Sequence, residues 1–354
     1  MKSTLYFNKK LNHNHYKEEY FNTPILSMRI LCFFIILFFA LTPVLSSTEI
    51  LTSEELKEIS NKIEFFERRL SNIRIKSEVW VETKTNLSDA CEPWLRTPIY
   101  VESISWFDLE SPGRVRIDVN QEIIKCRVKE LNTYSENNYS LTYDGKIGKV
   151  IQNKSGILGE SISVKKGEIS NVKPELLTSG NMRICTGQRF SLYFSNENYG
   201  INFSQLLAGA DDPNTKVSSS FDFTLEEFDM VKCMKIATKL NNKSQQIYWL
   251  DPARGYSLLG DKRTIKDGSE ERLIGLIKIE KLKEISEGIW WPTEAYVISP
   301  PIKSGEPFAK TVYRAIDIVA NDPNFNKDIF NPTFPDGYFI YDKTTGKKYI
   351  SGQK

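Results

Sequence analysis

Histidine, the side chain most often used for catalysis near neutral pH, is confined to one end of the chain. The 354-residue sequence has two histidines, His13 and His15, and both lie in residues 1–27. The rest of the chain therefore lacks the base of Ser-His-Asp and Cys-His catalysis and the ligand of His-rich zinc sites. The remaining candidates for chemistry are carboxylates, thiols and aromatic rings.

Carboxylates occur as neighbouring pairs in polar helix-start or turn contexts, where we expect solvated surface. The pairs are Glu54-Glu55, Glu226-Glu227 and Glu270-Glu271. No glycine-rich phosphate loop is present, because Gly145 and Gly148 lack the rest of either nucleotide-binding fingerprint. We therefore predict a protein that is not an enzyme, with no catalytic residue and no cofactor. A hydrolase that works without histidine is kept as an alternative.

Oxygen side chains alternate over residues 322–328 (DPNFNKD), as they do in a calcium loop. The sixth position of such a loop is glycine and the twelfth is glutamate, but here they are Lys327 and Thr333. We therefore predict no metal site.

Four cysteines follow residue 46, namely Cys91, Cys126, Cys185 and Cys233, while Cys32 lies in an apolar run near the start. No C-x-x-C spacing exists, so a thioredoxin-like or zinc-knuckle motif is excluded. An even number permits two disulfides in an oxidising compartment. Cys91–Cys126 with Cys185–Cys233 is the favoured pairing because it closes the shortest loops without crossing. Four free thiols remain the alternative.

Aromatic residues are the last group with a possible binding role. Tryptophans are scattered over predicted strands at Trp80, Trp94, Trp106, Trp249, Trp290 and Trp291. They favour core and cross-strand packing, but some of them are candidates to line an apolar pocket between sheet and helices. The predicted pocket residues are Trp106, Ile104 and Tyr100 on one strand face, with Ile63 and Phe66 from a helix.

The N-terminal region has the layout of a secretory signal in residues 28–46. Arg29 precedes an apolar run that ends at Thr42-Pro43, and a c-region ends at Ser46. A membrane-spanning helix needs about 20 apolar residues. We therefore predict cleavage after Ser46 and a soluble periplasmic or otherwise extracytoplasmic product, with a retained anchor as the alternative. Residues 1–27 are predicted to precede the true start, Met28, or to form a disordered extension.

The charge of the body is close to neutral. Five of the 47 Lys/Arg and two of the 45 Asp/Glu residues lie within residues 1–46. Nucleic-acid binding would need a basic field, so it is not expected. No Pro/Gly/Ser-rich linker divides residues 47–354, which predicts a single domain. We also expect a monomer.

The secondary-structure pattern begins with a helix and continues with strands. Thr52 and Glu55 form a capping box, and an apolar stripe follows at Leu56, Ile59, Ile63, Phe66 and Leu70. From Ile73 the period changes to two, and further alternating segments joined by tight turns predict an antiparallel sheet. Residues 155–215 are less regular and are predicted to be an insertion or lid.

Short motifs add a resemblance to a known family. The Trp106–Arg116 passage (WFDLESPGRVR), Tyr143-Asp-Gly145, Asn321-Asp-Pro323 and Phe334-Pro-Asp-Gly337 resemble segments of the LolA-like lipoprotein carrier superfamily, which includes the LolA, LppX and RseB types. The resemblance implies a mainly β (α+β) fold: a curved, incompletely closed antiparallel half-barrel with helices in its concave face.

The resemblance also implies a function. We expect an exported, non-enzymatic carrier that holds a lipid or lipoprotein acyl chain in an apolar cavity, as in outer-membrane lipoprotein sorting. The alternative is an RseB-like envelope sensor or interaction module that contacts a membrane-protein partner through residues 155–215.

Overall fold

The computed structural model describes residues 49–50, 52–85, 93–109, 114–125, 133–157, 160–174, 180–190, 221–239, 244–267, 270–301 and 308–353. They belong to one compact unit that begins at Thr48. The predicted signal segment, Cys91 and Cys126 lie outside the described residues.

Strands dominate the described residues, with two α-helices, α1 (Ser53–Arg69) and α2 (Gly180–Cys185). The strands are β1 (Glu49–Ile50), β2 (Asn72–Lys84), β3 (Leu95–Asp108), β4 (Arg114–Lys125), β5 (Thr133–Tyr143), β6 (Gly148–Ile157), β7 (Glu160–Ser170), β8 (Phe221–Phe228), β9 (Val231–Lys239), β10 (Ser244–Asp251), β11 (Ser257–Asp267), β12 (Glu270–Ser286), β13 (Ile289–Ser299), β14 (Phe308–Ala320), β15 (Phe339–Asp342) and β16 (Lys347–Ile350).

These strands form one curved sheet in the order β1-β8-β9-β10-β11-β12-β13-β14-β2-β3-β4-β5-β6-β7-β15-β16. Neighbouring strands are antiparallel except β7 and β15, which are parallel. The sheet does not close, because β1 and β16 lie at its two ends. The predicted mainly β, incompletely closed antiparallel fold is confirmed.

Helix α1 begins where the capping box predicts. The Thr52 backbone N–H and hydroxyl donate to Glu55 Oε2 at 2.7 and 2.8 Å, and Glu55 N–H donates to Thr52 Oγ1 at 3.3 Å. These reciprocal bonds satisfy N–H groups that the first turn leaves without partners. Glu58 and Lys62 add an ion pair of 2.7 Å on the exposed side of the helix.

The end of α1 is fixed by a distant residue, Asn321, which follows β14. Its Oδ1 accepts from Ser71 N–H at 2.8 Å, and its Nδ2 donates to the Arg69 carbonyl at 2.8 Å. Asn321 has φ +53, a left-handed conformation that asparagine tolerates better than most residues. Asn321, the first residue of the Asn-Asp-Pro motif, therefore links the C-terminus of α1 to the end of β14.

We call the sheet face that packs against the helices the inner face. In β2 and β3 it carries alternating buried side chains, including Ile75, Ser77, Ser103 and Phe107. Both serine hydroxyls donate to the carbonyl of Cys185, the last residue of α2, with Ser103 at 3.0 Å. The serines thus supply partners for a helix-end carbonyl that is buried against the sheet.

Helix α1 covers another part of the inner face. Ile59 and Ile63 pack in one apolar cluster with side chains of β8 to β11, namely Phe223, Met234, Ile236, Leu250 and Leu258, and with Tyr256. The apolar stripe predicted from the sequence is therefore the packed side of the helix, as amphipathic periodicity requires.

The opposite, outer face carries the C-terminal segment over part of its area. Phe330 is buried, and Phe334 and Ile340 pack with Ile151 on this side. Lys149 Nζ donates to the Pro332 carbonyl at 2.8 Å, which holds the segment against β6. Phe334, the first residue of the Phe334-Pro-Asp-Gly337 motif, therefore packs on the outer face.

Two expectations change in the structure. The first residues of the predicted 155–215 insertion are integral to the sheet, since β6 runs to Ile157 and β7 pairs with it along its length. Cys185 and Cys233 are both buried free cysteines, the first in the inner cluster and the second in an outer-face cluster with Trp249 and Leu259. The favoured Cys185–Cys233 disulfide is therefore wrong, because the sheet separates the two thiols.

Candidate functional site

A tight turn between β10 and β11 faces helix α1 and creates the candidate site. Asp251 caps the 3-10 turn Pro252–Arg254 by accepting the Ala253 N–H at 2.9 Å. Gly255 and Tyr256 then both have positive φ, at +62 and +60. This conformation turns the chain back toward α1 and leaves a groove between the turn and the helix.

The groove has two connected parts along α1. One has a volume of about 1230 Å³ including its open mouth and is walled by rings and alkyl surface from Phe65, Phe66, Ala253, Tyr256 and Trp290. The other measures about 890 Å³ on the same basis and adds Ile59, Leu225 and Met234. Glu58, Lys62, Pro252, Ala253 and Tyr256 border both parts. Their shared walls make one groove of mixed aromatic and aliphatic lining.

Phe66 forms the floor of the larger part. Its ring rests on Gly255 and Gly288, where an added Cβ would lie 3.1 Å from Phe66 Cε2 and 2.6 Å from Phe66 Cε1, respectively. Beneath it, a space lined by Ile63, Phe66, Phe190 and other residues holds a void of about 10 Å³, roughly one water. The contact between α1 and the inner face is thus closely packed, and the open volume lies at the side of the helix.

The rim of the groove is polar, with three carboxylates (Glu55, Glu58 and Glu284) and two lysines (Lys62 and Lys232). Lys62 donates to Glu58, which raises the pKa of Lys62, and Arg254 lies 3.2 Å from Asp251. The Arg254 guanidinium also lies 5.5 Å above the centre of the Trp290 ring. Burial raises the pKa of the Tyr256 phenol, so its ring meets the groove uncharged. Lys62 and Arg254 are thus each paired with a carboxylate, and the groove beside them is walled by aromatic rings.

The structure divides the five predicted pocket residues between the two faces of the sheet. Ile63 and Phe66 lie under the groove. Tyr100, Ile104 and Trp106 do share one strand face, but it is the outer one, because Val101, Ser103, Ser105 and Phe107 are the buried side chains of β3. The three are therefore separated from the groove by the sheet itself.

On the outer face these residues have partners of their own. The Tyr100 hydroxyl lies 2.8 Å from Glu78 Oε1 and 3.0 Å from Glu102 Oε1, and burial followed by the Glu78 hydrogen bond raises its pKa. The Trp106 ring lies 5.3 Å from the guanidinium of Arg116. Aromatic rings and charges thus form a layer of cation–π contacts on a solvated sheet face.

The tryptophans follow both of the predicted roles. Trp291 is fully buried in the inner cluster, whereas its neighbour Trp290 lines the groove. Ala253, Tyr256 and Phe65 are groove residues that sequence reasoning missed. The signal available in the sequence was a pair of glycines, Gly255 and Gly288, each of which ends a turn between predicted strands. Both positions need glycine because the Phe66 ring approaches the backbone closely there.

The 322–328 oxygens are used within the chain. Asp322 Oδ1 accepts from Asn324 N–H at 2.8 Å, and Asn326 Oδ1 accepts from Asp328 N–H at 2.9 Å. Across the described residues, no group of three or more His, Cys, Asp and Glu side chains could hold a metal ion. The same residues contain no helix that is long and apolar enough to cross a membrane.

Comparison with known proteins finds similarity in structure. No protein-family model matches the sequence, and no curated protein is significantly similar to it. A DUF1329 family protein from Desulfovibrio piger is 13% identical with a TM-score of 0.38 and covers 78% of this chain and 96% of its own. A domain from Vibrio parahaemolyticus, given the provisional description of an outer membrane lipoprotein-sorting protein, is 11% identical with a TM-score of 0.37 and covers 79% and 97%. At these values neither likeness says what this chain binds.

Proposed function

We propose that the chain is an exported, non-enzymatic binding protein that holds the acyl chain of a lipid or lipoprotein in the groove beside α1. The observation that carries the proposal is the groove itself, with its walls of Phe65, Phe66, Tyr256 and Trp290. Its larger part has about 710 Å³ of room for a ligand, and ligand sites commonly measure 300–1,000 Å³.

Apolar contact alone is sufficient for this function. Burying a methylene group is worth about 0.8 kcal/mol, so a few methylenes against the groove walls give useful affinity without a catalytic group or metal. Phe65, which is 58% exposed, is an apolar side chain that a ligand chain would cover. Export through residues 28–46 and a periplasmic or other extracytoplasmic place of action are part of the proposal.

The test is to identify what the purified, secreted protein contains. Solvent extraction followed by mass spectrometry should release an amphiphile in a fixed ratio to protein, and 11-(dansylamino)undecanoic acid should show saturable fluorescence enhancement. A second sample, unfolded in urea, provides the control for non-specific adsorption. Absence of both an extracted amphiphile and saturable uptake would overturn the proposal.

An interaction module is a second candidate, favoured by the end of the sheet at β15 and β16. Phe339, Tyr341, Tyr349 and Ile350 are all large apolar side chains that remain exposed there. The β16 edge also carries Lys347 and Lys348, so its natural occupant would be an extended, acidic segment of an envelope protein that adds a strand. If capture of an acidic extended peptide fails while lipid uptake persists, the carrier function stands alone.

A further inference from the structure

Two arginines on the outer face of the sheet share one tryptophan ring. The guanidinium of Arg96, on β3, lies 5.0 Å from the centre of the Trp80 ring, and that of Arg314, on β14, lies 5.2 Å from it. Strands β3 and β14 are the two neighbours of β2, so the arginines approach the ring from opposite sides. Trp80 Nε1 donates to Glu82 Oε1 at 2.8 Å, which holds the ring between them.

The carboxylate opposite Arg96 is engaged elsewhere. Glu82 lies across from Arg96 in the strand register, but its Oε2 pairs with Lys310 Nζ at 3.3 Å. Lys310 also lies 4.8 Å from the centre of the Tyr296 ring. Arg96 instead lies over a second ring, that of Tyr100, at 5.8 Å. The charge of Arg96 is therefore met by aromatic rings and not by a carboxylate.

The two carboxylates opposite Arg314 are engaged in the same way. Arg314 lies across from Glu78 on β2 and from Glu294 on β13. Glu78 Oε1 accepts from the Tyr100 hydroxyl at 2.8 Å, and Glu294 Oε1 pairs with Lys281 Nζ at 2.9 Å. Both carboxylates thus have partners other than Arg314.

Both guanidiniums keep their hydrogen-bonding groups for an external partner. Arg96 and Arg314 are exposed, and neither forms an ion pair or a hydrogen bond with another residue that the structure describes. Stacking on a ring holds a guanidinium in place while its N–H donors, which lie in the plane of the group, stay open. Arg74, on the same face, differs because it donates to Asp317 Oδ2 at 2.6 Å. Arg96 and Arg314 are therefore a preformed pair of anion-binding groups.

The arrangement favours a chain with several negative groups over one small anion. The strands that carry the two arginines are about 10 Å apart, with the Trp80 ring between them, so a single phosphate fits against one guanidinium only. Two anionic groups on one chain reach both, and the second contact gains from its high effective concentration. A membrane surface fits less well, because its anionic headgroups would also meet Glu78, Glu82 and Glu102 on this face.

We propose that Arg96 and Arg314 bind phosphate groups of a linear anionic polymer that crosses β3, β2 and β14 on the outer face. A guanidinium offers paired N–H donors to phosphate oxygens, and such charge-assisted hydrogen bonds are stronger than neutral ones. Carboxylates already lie across from both arginines without pairing with them, which favours phosphate as the partner. The sheet separates this site from the groove, so it is independent of the proposed function.

The test compares a phosphate chain with single phosphate. Linear sodium polyphosphate and sodium orthophosphate are titrated calorimetrically into the full purified protein at constant ionic strength. The chain should bind saturably and at least about 100-fold more tightly than orthophosphate, as expected when two contacts act together. No saturable binding of polyphosphate, or equal binding of the two probes per phosphate group, would overturn the proposal.

Variants test the two arginines directly. Arg96→Gln/Arg314→Gln should weaken polyphosphate binding at least about tenfold, and Arg96→Lys/Arg314→Lys, which keeps the charges without the paired donors, should lose less. Arg74→Gln is the matched control, since this arginine of the same face is already bound to Asp317, and it should bind as the unaltered protein does. A cooperative thermal transition shows that each variant has folded. Unchanged polyphosphate binding in the double glutamine variant would contradict the site.

Two further ligands distinguish the chemistry of the partner. Poly-L-glutamate carries carboxylates on a chain, and vesicles of phosphatidylcholine with phosphatidylglycerol present phosphates on a surface. A phosphate-chain site predicts weaker binding of poly-L-glutamate and no vesicle binding that depends on the two arginines. Equal binding of poly-L-glutamate would overturn the assignment to phosphate. Vesicle binding that is lost in the double glutamine variant would assign this face to a membrane and overturn the proposal.

Discussion

The Phe66 ring lies against the backbone of Gly288, and a Cβ at that glycine would be 2.6 Å from Phe66 Cε1. Gly288 also has φ +70, in the left-handed region. Because Gly288 has no side chain, the Phe66 ring of α1 packs directly against the backbone of the β12–β13 turn.

Substituting Gly288 tests this contact. Gly288→Ala adds left-handed strain of about 1–2 kcal/mol and an overlap with Phe66 that costs about 1–3 kcal/mol more in the free energy of unfolding. Gly346→Ala is the matched control, because Gly346 has φ +71 and nothing within 4 Å of the added Cβ. Urea denaturation should show the larger loss for Gly288→Ala, and equal losses would contradict the contact.

The serine pair beneath α2 should act redundantly. Either Ser77→Ala or Ser103→Ala leaves one hydroxyl on the Cys185 carbonyl, so each should cost less than about 1 kcal/mol. Removing both leaves a buried carbonyl without these donors, and the double variant should lose about 1–3 kcal/mol. Ser299→Ala, at an exposed position, is the control. Strictly additive losses would argue against a shared acceptor.

These serines also explain why the face of β3 was mispredicted. Tyr100, Ile104 and Trp106 are the bulky residues of an alternating strand, so size and hydrophobicity place them inward. The structure buries Ser103 and Ser105 instead, because the inner face approaches the end of α2 closely and supplies donors to it. That requirement comes from a helix about 80 residues away in sequence and leaves no periodic signal.

Local signals, by contrast, were sufficient for α1 and for the class of the fold. The capping box and the apolar stripe mark α1 within two residues at each end. Alternation in β2 places Ile73, Ile75 and Val79 on the buried side, as predicted. The groove was not predictable, since it depends on how the Gly255–Tyr256 turn meets α1, a relation between segments nearly 200 residues apart.

Asn321 should control the C-terminal end of α1. Asn321→Gly keeps the left-handed backbone but removes the bonds to Ser71 N–H and the Arg69 carbonyl, and it should cost about 1–3 kcal/mol. Amide hydrogen exchange at the last turn of α1 should become faster. Asn324→Gly, at an exposed turn position, is the control and should leave that exchange unchanged. Unaltered exchange in Asn321→Gly would contradict the role of the Asn321 hydrogen bonds at the end of α1.

The buried thiols should be unreactive in the folded protein. Burial raises the pKa of Cys185 to about 12 and that of Cys233 to about 11, whereas an unfolded cysteine has a pKa of about 8.5. Alkylation near pH 8 followed by peptide mass mapping should label both only after unfolding. Because the folded state then holds more protons, stability should fall as pH rises above about 8.5. A peptide linked through Cys185 and Cys233 would contradict the structure.

The most direct test of the central claim fills the groove without disturbing the core. Ala253 is exposed and borders both parts of the groove, so Ala253→Trp places an indole where the chain would lie. Displacing about two methylenes, at about 0.8 kcal/mol each, should weaken binding of 11-(dansylamino)undecanoic acid about tenfold. Asn324→Trp, which introduces the same indole at an exposed site on the turn after β14, should bind as the unaltered protein does. Unchanged affinity in Ala253→Trp would contradict the groove as the binding site.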